Sequence, residues 1–211
     1  FMNSAIANIA IPESVKVIGN NAFENAASLK KVTLSKNLEE MGKAIFKNCS
    51  SLASITLPLT LKNIPVDAFL NCTSLAKVGF GSVETIGKFA FKGCESLIAI
   101  ELPNTLTELD PMSFFGCTSL EAINVTEGNV KFKSVEGVVI SANEDNVFDT
   151  LAMYPAGKQG GYEVAEDIKN IADRAFYNCD KLTEIKFSDN IERIGTEAFF
   201  DCDAIISVTL P

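Results

Sequence analysis

The sequence predicts an α/β solenoid, in which short parallel strands of successive coils are joined by short helical or 3₁₀ turns around one apolar core. Three observations predict it. Phe recurs at Phe23, Phe46, Phe69, Phe91, Phe114, Phe176 and Phe199, in steps of 23, 23, 22, 23, 62 and 23 residues. Three residues after each stands Cys49, Cys72, Cys94, Cys117, Cys179 or Cys202, with Ala26 in the first case. Three further on come Leu29, Leu52, Leu75, Leu97, Leu120, Leu182 or Ile205. Self-similarity at a fixed period marks units that bury their apolar faces by stacking on one another.

Each element of the coil follows from its residues. After the Leu comes an apolar pair with one residue between, as in Val32/Leu34, Ile55/Leu57, Val78/Phe80, Ile100/Leu102, Ile123/Val125, Ile185/Phe187 and Val208/Leu210. This β-branched alternation reads as a short strand. Pro12, Pro58, Pro103 and Pro211 end it, because Pro cannot donate to a ladder. A second apolar pair follows, from Val15/Ile18 through Leu61/Ile64 to Ile191/Ile194. Then comes Ile-Gly-x-x-Ala-Phe, where Pro65, Asp110 and Ala172 replace Gly in some coils, so that the position does not demand a positive φ. Asp110-Pro111 resembles an N-cap followed by Pro at the first helical position, which predicts a helical or 3₁₀ turn here. Matching the first residues to the repeat places Asn3 in the Cys position and gives about eight coils.

The period breaks once. Between Phe114 and Phe176 lie 39 residues more than one coil needs. The repeat resumes from Tyr162, with Val164 in the strand. Residues 126–163 hold two apolar runs, Ser-Val-Glu-Gly-Val-Val-Ile-Ser and Asp-Thr-Leu-Ala-Met-Tyr-Pro-Ala-Gly, on either side of an acidic loop, which predicts a β-hairpin inserted into one coil. The loop carboxylates Glu144, Asp145 and Asp149 do not follow the order of a calcium loop and read as a solvated turn.

With this period and these residues the sequence resembles the BspA-type leucine-rich repeat family, whose unit of about 23 residues runs Leu-x-x-Ile-x-Leu-Pro, then Leu-x-x-Ile-Gly, then Ala-Phe-x-x-Cys. The likeness covers nearly the whole chain. It implies a curved, right-handed leucine-rich-repeat-like solenoid from residue 1 to 211, and a secreted or cell-surface protein of a host-associated bacterium or a parasitic protist. The Gly-Val…Tyr-Pro-Ala-Gly-Lys hairpin occurs in many members. The resemblance further implies adhesion, including to host proteins, and offers no catalytic residues to carry over.

Composition excludes other classes. A net charge of −9 supplies no basic face for nucleic acid, and no run of about 18 apolar residues predicts a membrane span. With no His and no Trp, the commonest general base and zinc nitrogen ligand are missing. No nucleophile–base pair breaks the repeat, so no enzyme, cofactor or metal site is expected. The opening Phe-Met-Asn-Ser lacks an initiator Met and a leader, and neither end reads as a polar cap. A removed leader, a longer parent protein or covering by neighbouring chains is therefore expected.

Six Cys in a secreted chain suggest three disulfides. Equivalent side chains in a stack point the same way, however, whereas a disulfide needs converging Cβ vectors. With Ala26 filling the same slot, the expectation is a ladder of reduced, buried thiols that serves packing. Asn48, Asn71 and Asn124 head glycosylation sequons.

The candidate partner-binding surface is the row of residues between the buried strand positions, on the concave sheet: Lys31, Thr33, Ser54, Thr56, Lys77, Glu101, Asn124, Glu184, Lys186, Ser207 and Thr209, with Gly79, Ala99 and Ala122. It is small, hydroxyl-rich and mixed in charge. A candidate apolar flank consists of the residue after the repeat Phe, namely Leu70, Phe115, Tyr177 and Phe200, where other coils carry Glu24, Lys47 and Lys92. The function expected is non-enzymatic binding of a protein, such as a host extracellular-matrix or plasma protein. The alternative is a spacer that associates with itself end to end.

Overall fold

In the computed structural model, which describes residues 1–210, each coil passes through two strands. The first two coils supply β1 (Asn8–Ala10), β2 (Val17–Ile18), β3 (Lys31–Thr33) and β4 (Glu40–Met41). The next three supply β5 (Ser54–Thr56), β6 (Asn63–Ile64), β7 (Lys77–Gly79), β8 (Thr85–Ile86), β9 (Ala99–Leu102) and β10 (Glu108–Leu109). After β11 (Ala122–Val125) come β12 (Phe132–Val135), β13 (Val138–Ala142) and β14 (Phe148–Met153). The remaining coils hold β15 (Gly160–Glu163), β16 (Asn170–Ile171), β17 (Leu182–Lys186), β18 (Arg193–Ile194) and β19 (Ser207–Thr209). Pro211, read above as ending a strand, lies outside the described residues.

The strands form two parallel ladders. In the first, Asn8 lies opposite Lys31, Ser54 opposite Lys77 and Glu101 opposite Asn124. Beyond the interruption, Glu163, Lys186 and Thr209 face one another across β15, β17 and β19. The second ladder pairs β2 with β4, β6 with β8 and β10, and β14 with β16 and β18. Tyr162 takes the strand position opposite Ile185; Val164 follows the end of β15, buried in the next slot.

The expected helical turns do not form: no helix occurs among the described residues, and so none is long and apolar enough to cross a membrane. The cause is a left-handed residue at two places in most coils. Two residues before the repeat Phe, φ is +58° at Asn21, +59° at Asp67 and +60° at Arg174. Just before the Cys slot it is +60° at Asn25, +61° at Asn48, +70° at Gly93 and +60° at Asn178. One such residue ends any run of right-handed dihedrals. The amide of Phe23 then donates to the carbonyl of Ile45 in the next coil, at 2.9 Å, rather than within its own turn. Asp110 does receive the amide of Met112 on its Oδ1, at 2.8 Å, but as a local Asx turn.

The left-handed slot explains a further register. Asn3 occupies it (φ +59°) and Ser4 stands in the Cys position, one residue from the expected place. The amide of Asn3 bonds the carbonyl of Glu24 as that of Asn25 bonds Lys47, at 2.8 Å in both cases. The side chains of this row form an amide ladder: Asn25 Nδ2 donates to Asn3 Oδ1 at 2.9 Å, Asn48 to Asn25 at 2.7 Å and Asn71 to Asn48 at 3.0 Å.

Inside, the Phe rings stack from Phe1 to Phe114 with centroids 5.1–5.4 Å apart. All six cysteines are free thiols, five of them buried. In the first four the sulfur donates to the carbonyl of the Phe one coil earlier, Cys49 to Phe23, Cys72 to Phe46, Cys94 to Phe69 and Cys117 to Phe91, at 3.1–3.3 Å. Burial pushes the Cys49 and Cys117 thiols up to about 12, and Cys72 and Cys94 well above the usual thiol range. The neighbouring Cys202 thiol, together with burial, raises Cys179, and Cys179 in turn lowers Cys202.

The long interval resolves into a ninth coil and an insertion. Tyr154 takes the Phe place, its ring 4.9 Å from Phe176, and its amide donates to Ala175 as that of Phe91 does to Ser113. Gly157 takes the Cys place. A Cβ there would lie 2.4 Å from the carbonyl carbon of Ser119, so only Gly lets this coil nest on its neighbour, with its N–H 2.7 Å from the Leu120 carbonyl. With Tyr154 counted, nine ring positions replace the eight coils expected. The insertion itself is a three-stranded antiparallel meander, β12–β13–β14, one strand more than a hairpin. Glu136 and Gly137 make the extra turn with φ of +51° and +78°, the pattern of a two-residue hairpin loop. β13 is buried on both sides: Val139 joins the core of the earlier coils, Val138 and Ile140 that of the later ones. Its continuous apolar run has that double burial as its cause.

Candidate protein-interaction face

All eleven residues of the predicted strip are exposed. Alternation puts them there: in β3 and β5 the middle residues Val32 and Ile55 point into the core, so Lys31, Thr33, Ser54 and Thr56 point out. Parallel register then lines the outward residues up from coil to coil. The strip is not continuous, however. Between β11 and β15 sits the turn of the β12–β13 hairpin, where the Ile123 amide donates to the Gly137 carbonyl at 2.8 Å. The Val125 amide donates to Ser134 Oγ at 3.0 Å, and Lys158 Nζ to the Glu136 carbonyl at 2.8 Å. A Cβ on Gly137 would lie 2.7 Å from that of Ala122, so the turn is pressed onto the edge of β11. Lys31 through Asn124 therefore form one run, and Glu184 through Thr209 another.

The two runs differ electrostatically. In the second, Lys186 Nζ lies 2.6 Å from Glu163 Oε1, and that hydrogen bond raises the Lys186 pKa. In the first, Lys31 and Lys77 enter no ion pair among the described residues. A shallow open groove between β3 and β5 is lined by Lys31, Thr33, Ser54 and Thr56.

On the flank, Leu70, Phe115 and Tyr177 are half-buried and Phe200 is 51% exposed. The rings of Phe115 and Tyr177 meet edge-on at 5.3 Å, and those of Tyr177 and Phe200 stack at 4.9 Å. Sequence reading missed Phe89, which fills a left-handed slot and tilts toward Phe115 with centroids 6.3 Å apart. Lys92, set apart as a charged exception, has its Nζ 4.9 Å from both rings. The signal was Lys-Phe-Ala-Phe-Lys at 88–92, the one coil with two Phe around its small residue.

Glu144 and Asp145 of the acidic loop are exposed, as expected of a solvated turn, whereas Asp149, at the start of β14, is buried. Asn143 Oδ1 accepts the amides of Asp145 and Val147, and its Nδ2 donates to Asp149 Oδ2 at 2.8 Å, which holds the buried Asp149 as a structural acceptor. No group of carboxylates, thiols or imidazoles among the described residues is placed to hold a metal ion. Between Phe114 and Tyr154 a cavity has about 20 Å³ of water-sized space, room for one water rather than a small-molecule ligand.

The sequence matches the description "BspA type Leucine rich repeat region" in 6 copies, over residues 1–121, 80–135 and 161–211. The unmatched residues fall on the β13–β14 insertion and the Tyr154 coil. No curated protein matches the chain. Among solved structures the pneumococcal vaccine antigen PcpA is similar over 97% of this chain and 51% of its own, at 30% identity and a TM-score of 0.84. A leucine rich cell surface protein from Faecalibacterium prausnitzii is similar over 97% of this chain and 61% of its own, at 25% identity and a TM-score of 0.75. A leucine-rich repeat protein from Bacteroides ovatus is similar over 97% and 49%, at 29% identity and a TM-score of 0.68. The chain thus spans about half the length of these structures.

Proposed function

The chain belongs to the BspA type leucine rich repeat family, and from that premise we propose that it is a non-enzymatic protein-binding module, working in adhesion at the cell surface or after secretion. A neighbour described as a cell surface protein supports the location, and another described as a vaccine antigen is in keeping with it. The partner is a protein, such as a host extracellular-matrix or plasma protein, laid in extended form across the strands. The observation that carries this reading is the first run of the strip, where Lys31, Thr33, Ser54, Thr56 and Lys77 stand exposed on three neighbouring strands, with both ammonium groups unpaired among the described residues. A flat row of hydroxyls and cations suits a partner segment bearing carboxylates. Lys186, already held by Glu163, has less to give.

Immobilised extracellular-matrix and plasma proteins, screened by surface plasmon resonance, test the reading. Lys31→Glu with Lys77→Glu is expected to weaken a saturable hit by about tenfold or more, a loss of about 1.4 kcal/mol, and Lys186→Glu far less. Binding that survives both substitutions sinks the strip and transfers the contact to the Phe115, Tyr177 and Phe200 flank.

A further inference from the structure

Where the insertion breaks the first ladder, β15 is left with an open edge. We propose that this edge takes up an extended cationic segment of a partner protein as an added strand, at a site separate from Lys31 and Lys77. In paired coils the strand amides of one coil reach the carbonyls of the coil before: Lys31 donates to Ala7, Ala76 to Ala53 and Ala122 to Ile98. β15 has β17 on one side, where the amides of Gly160 and Val164 donate to the carbonyls of Lys181 and Lys186. Alternation turns the amides and carbonyls of Gly161 and Glu163 the other way, toward β11. The β11 amides that the pattern assigns to them, those of Ile123 and Val125, go instead to the Gly137 carbonyl and Ser134 Oγ. Among the described residues, Gly161 and Glu163 therefore have no backbone partner on that side. Where β3 meets β5 and β7 meets β9 no ladder forms either, but those strands lie side by side; β15 packs closely on β17 alone. An unpaired strand edge is a template for a further strand.

The approach to the edge is open. Gly161 is exposed, and a Cβ on Gly160 would meet nothing within 4 Å. The shallow space beside them is lined by Glu121, Ala122, Glu136, Lys158 and Gln159. The charges around it choose the occupant. Glu121, Glu136 and Glu184 are exposed and enter no ion pair among the described residues. Lys158, the cation of that lining, already has its Nζ on the Glu136 carbonyl at 2.8 Å. Burial first, and then the charges of Glu136 and Asp167, push the Tyr162 phenol up to about 12, so the field at the middle of β15 is negative. An acidic strand is repelled here, and a second copy of this chain, with its net charge of −9, is disfavoured. Lys or Arg at alternate positions of an added strand reaches the carboxylates instead. The first run of the strip, with Lys31 and Lys77, selects the opposite charge.

A short fluorescent peptide of alternating Lys and Thr, followed by anisotropy, is the probe. It is compared with two forms N-methylated at every Lys or at every Thr, and with a Glu–Thr counterpart. Saturable binding of the parent peptide is expected, with a loss of about tenfold or more in one N-methylated form. Hydrogen exchange followed by NMR is expected to show the Gly161 and Glu163 amides unprotected in the free chain and protected by the peptide. Gly161→Pro removes one of those amides and is expected to weaken binding to the same degree; thermal unfolding checks its fold, and the N-methylated peptides need no variant. Lys31→Glu with Lys77→Glu is expected to leave this binding in place, so that the two sites fail or stand separately. The proposal is overturned if the parent peptide does not bind at millimolar concentration, or if both N-methylated forms or the Glu–Thr peptide bind as well. Protection of Gly161 and Glu163 in the peptide-free chain also overturns it. Concentration-dependent assembly that Gly161→Pro abolishes gives the edge to a second copy and does the same.

Discussion

Phe69 and Tyr154 hold the same place in the repeat, and their surroundings are opposite. Phe69 lies between Phe46 and Phe91, with centroids 5.4 and 5.1 Å away and nothing exposed. Among the described residues Tyr154 stacks on Phe176 alone, its other side meets the small cavity, and its buried hydroxyl has no partner. The slot beneath them differs likewise: Cys72 donates to a carbonyl, Gly157 has no side chain and touches backbone. In the regular coils identical side chains satisfy one another by repetition. In the interrupted coil β13, buried on both faces, takes over that work. A solenoid therefore tolerates a broken ladder where an inserted strand fills both halves of the core.

The largest expected effect separates the thiol-bearing coils from the interrupted one. An unfolded chain releases its thiol protons near pH 8.5, whereas folded Cys117 holds its proton to about 12. Between those values the unfolded state binds fewer protons, so stability is fully present below pH 8.5 and falls as pH rises toward 12, by about 1.4 kcal/mol per pH unit for each such thiol. Cys49, Cys72, Cys94 and Cys179 shift the same way, so the alkaline loss compounds along the ladder. Urea unfolding between pH 8.5 and 10.5 measures the slope. Cys117→Ala is expected to make it shallower by about one thiol's share, and an unchanged slope refutes the account.

Next comes the ring itself. Phe69→Ala removes a side chain stacked on both faces and is expected to cost about 3–5 kcal/mol, read from chemical denaturation. Phe199→Ala, at the last ring position and only partly buried, is expected to cost markedly less. Equal losses would mean that neither the deeper burial of Phe69 nor its second stacked neighbour contributes to stability.

The regular coils were legible because a period of 22 or 23 residues repeats Phe, Cys and Leu at constant spacing, and each of those letters is dictated by a buried contact. The turns were misread for a physical reason: Asp110-Pro111 is a start signal for a helix, and nothing local announces that Asn21 or Arg174 adopts a positive φ. The Asn, Gly and Asp before the Cys slot were the available signal, since those residues tolerate that conformation best. The ninth coil was hidden because all three of its markers change at once, to Tyr154, Gly157 and Gly160, and its Leu-to-strand spacing is one residue shorter. The strip was legible from alternation alone. Its division was not, because the turn that divides it arrives from a segment whose partners are set by tertiary contact.

The smallest effects sharpen the comparison within one slot. Cys72→Ala puts into a regular coil the residue that Ala26 already is, losing some packing and one weak thiol bond, and is expected to cost about 1 kcal/mol. Gly157→Ala adds a single methyl group, yet that methyl falls 2.4–2.8 Å from the backbone of Ser119 and Leu120. The coil must then lift from its neighbour, stretching the Gly157–Leu120 hydrogen bond, at an expected cost of about 1–3 kcal/mol. Removing a larger side chain should therefore harm the protein less than adding a smaller one, because in the regular coil the slot has depth and in the interrupted coil the backbone itself fills it. Midpoints of urea unfolding for the two variants decide the matter. If Cys72→Ala proves the costlier, the Tyr154 coil is packed like the others and the contrast between the two regions fails.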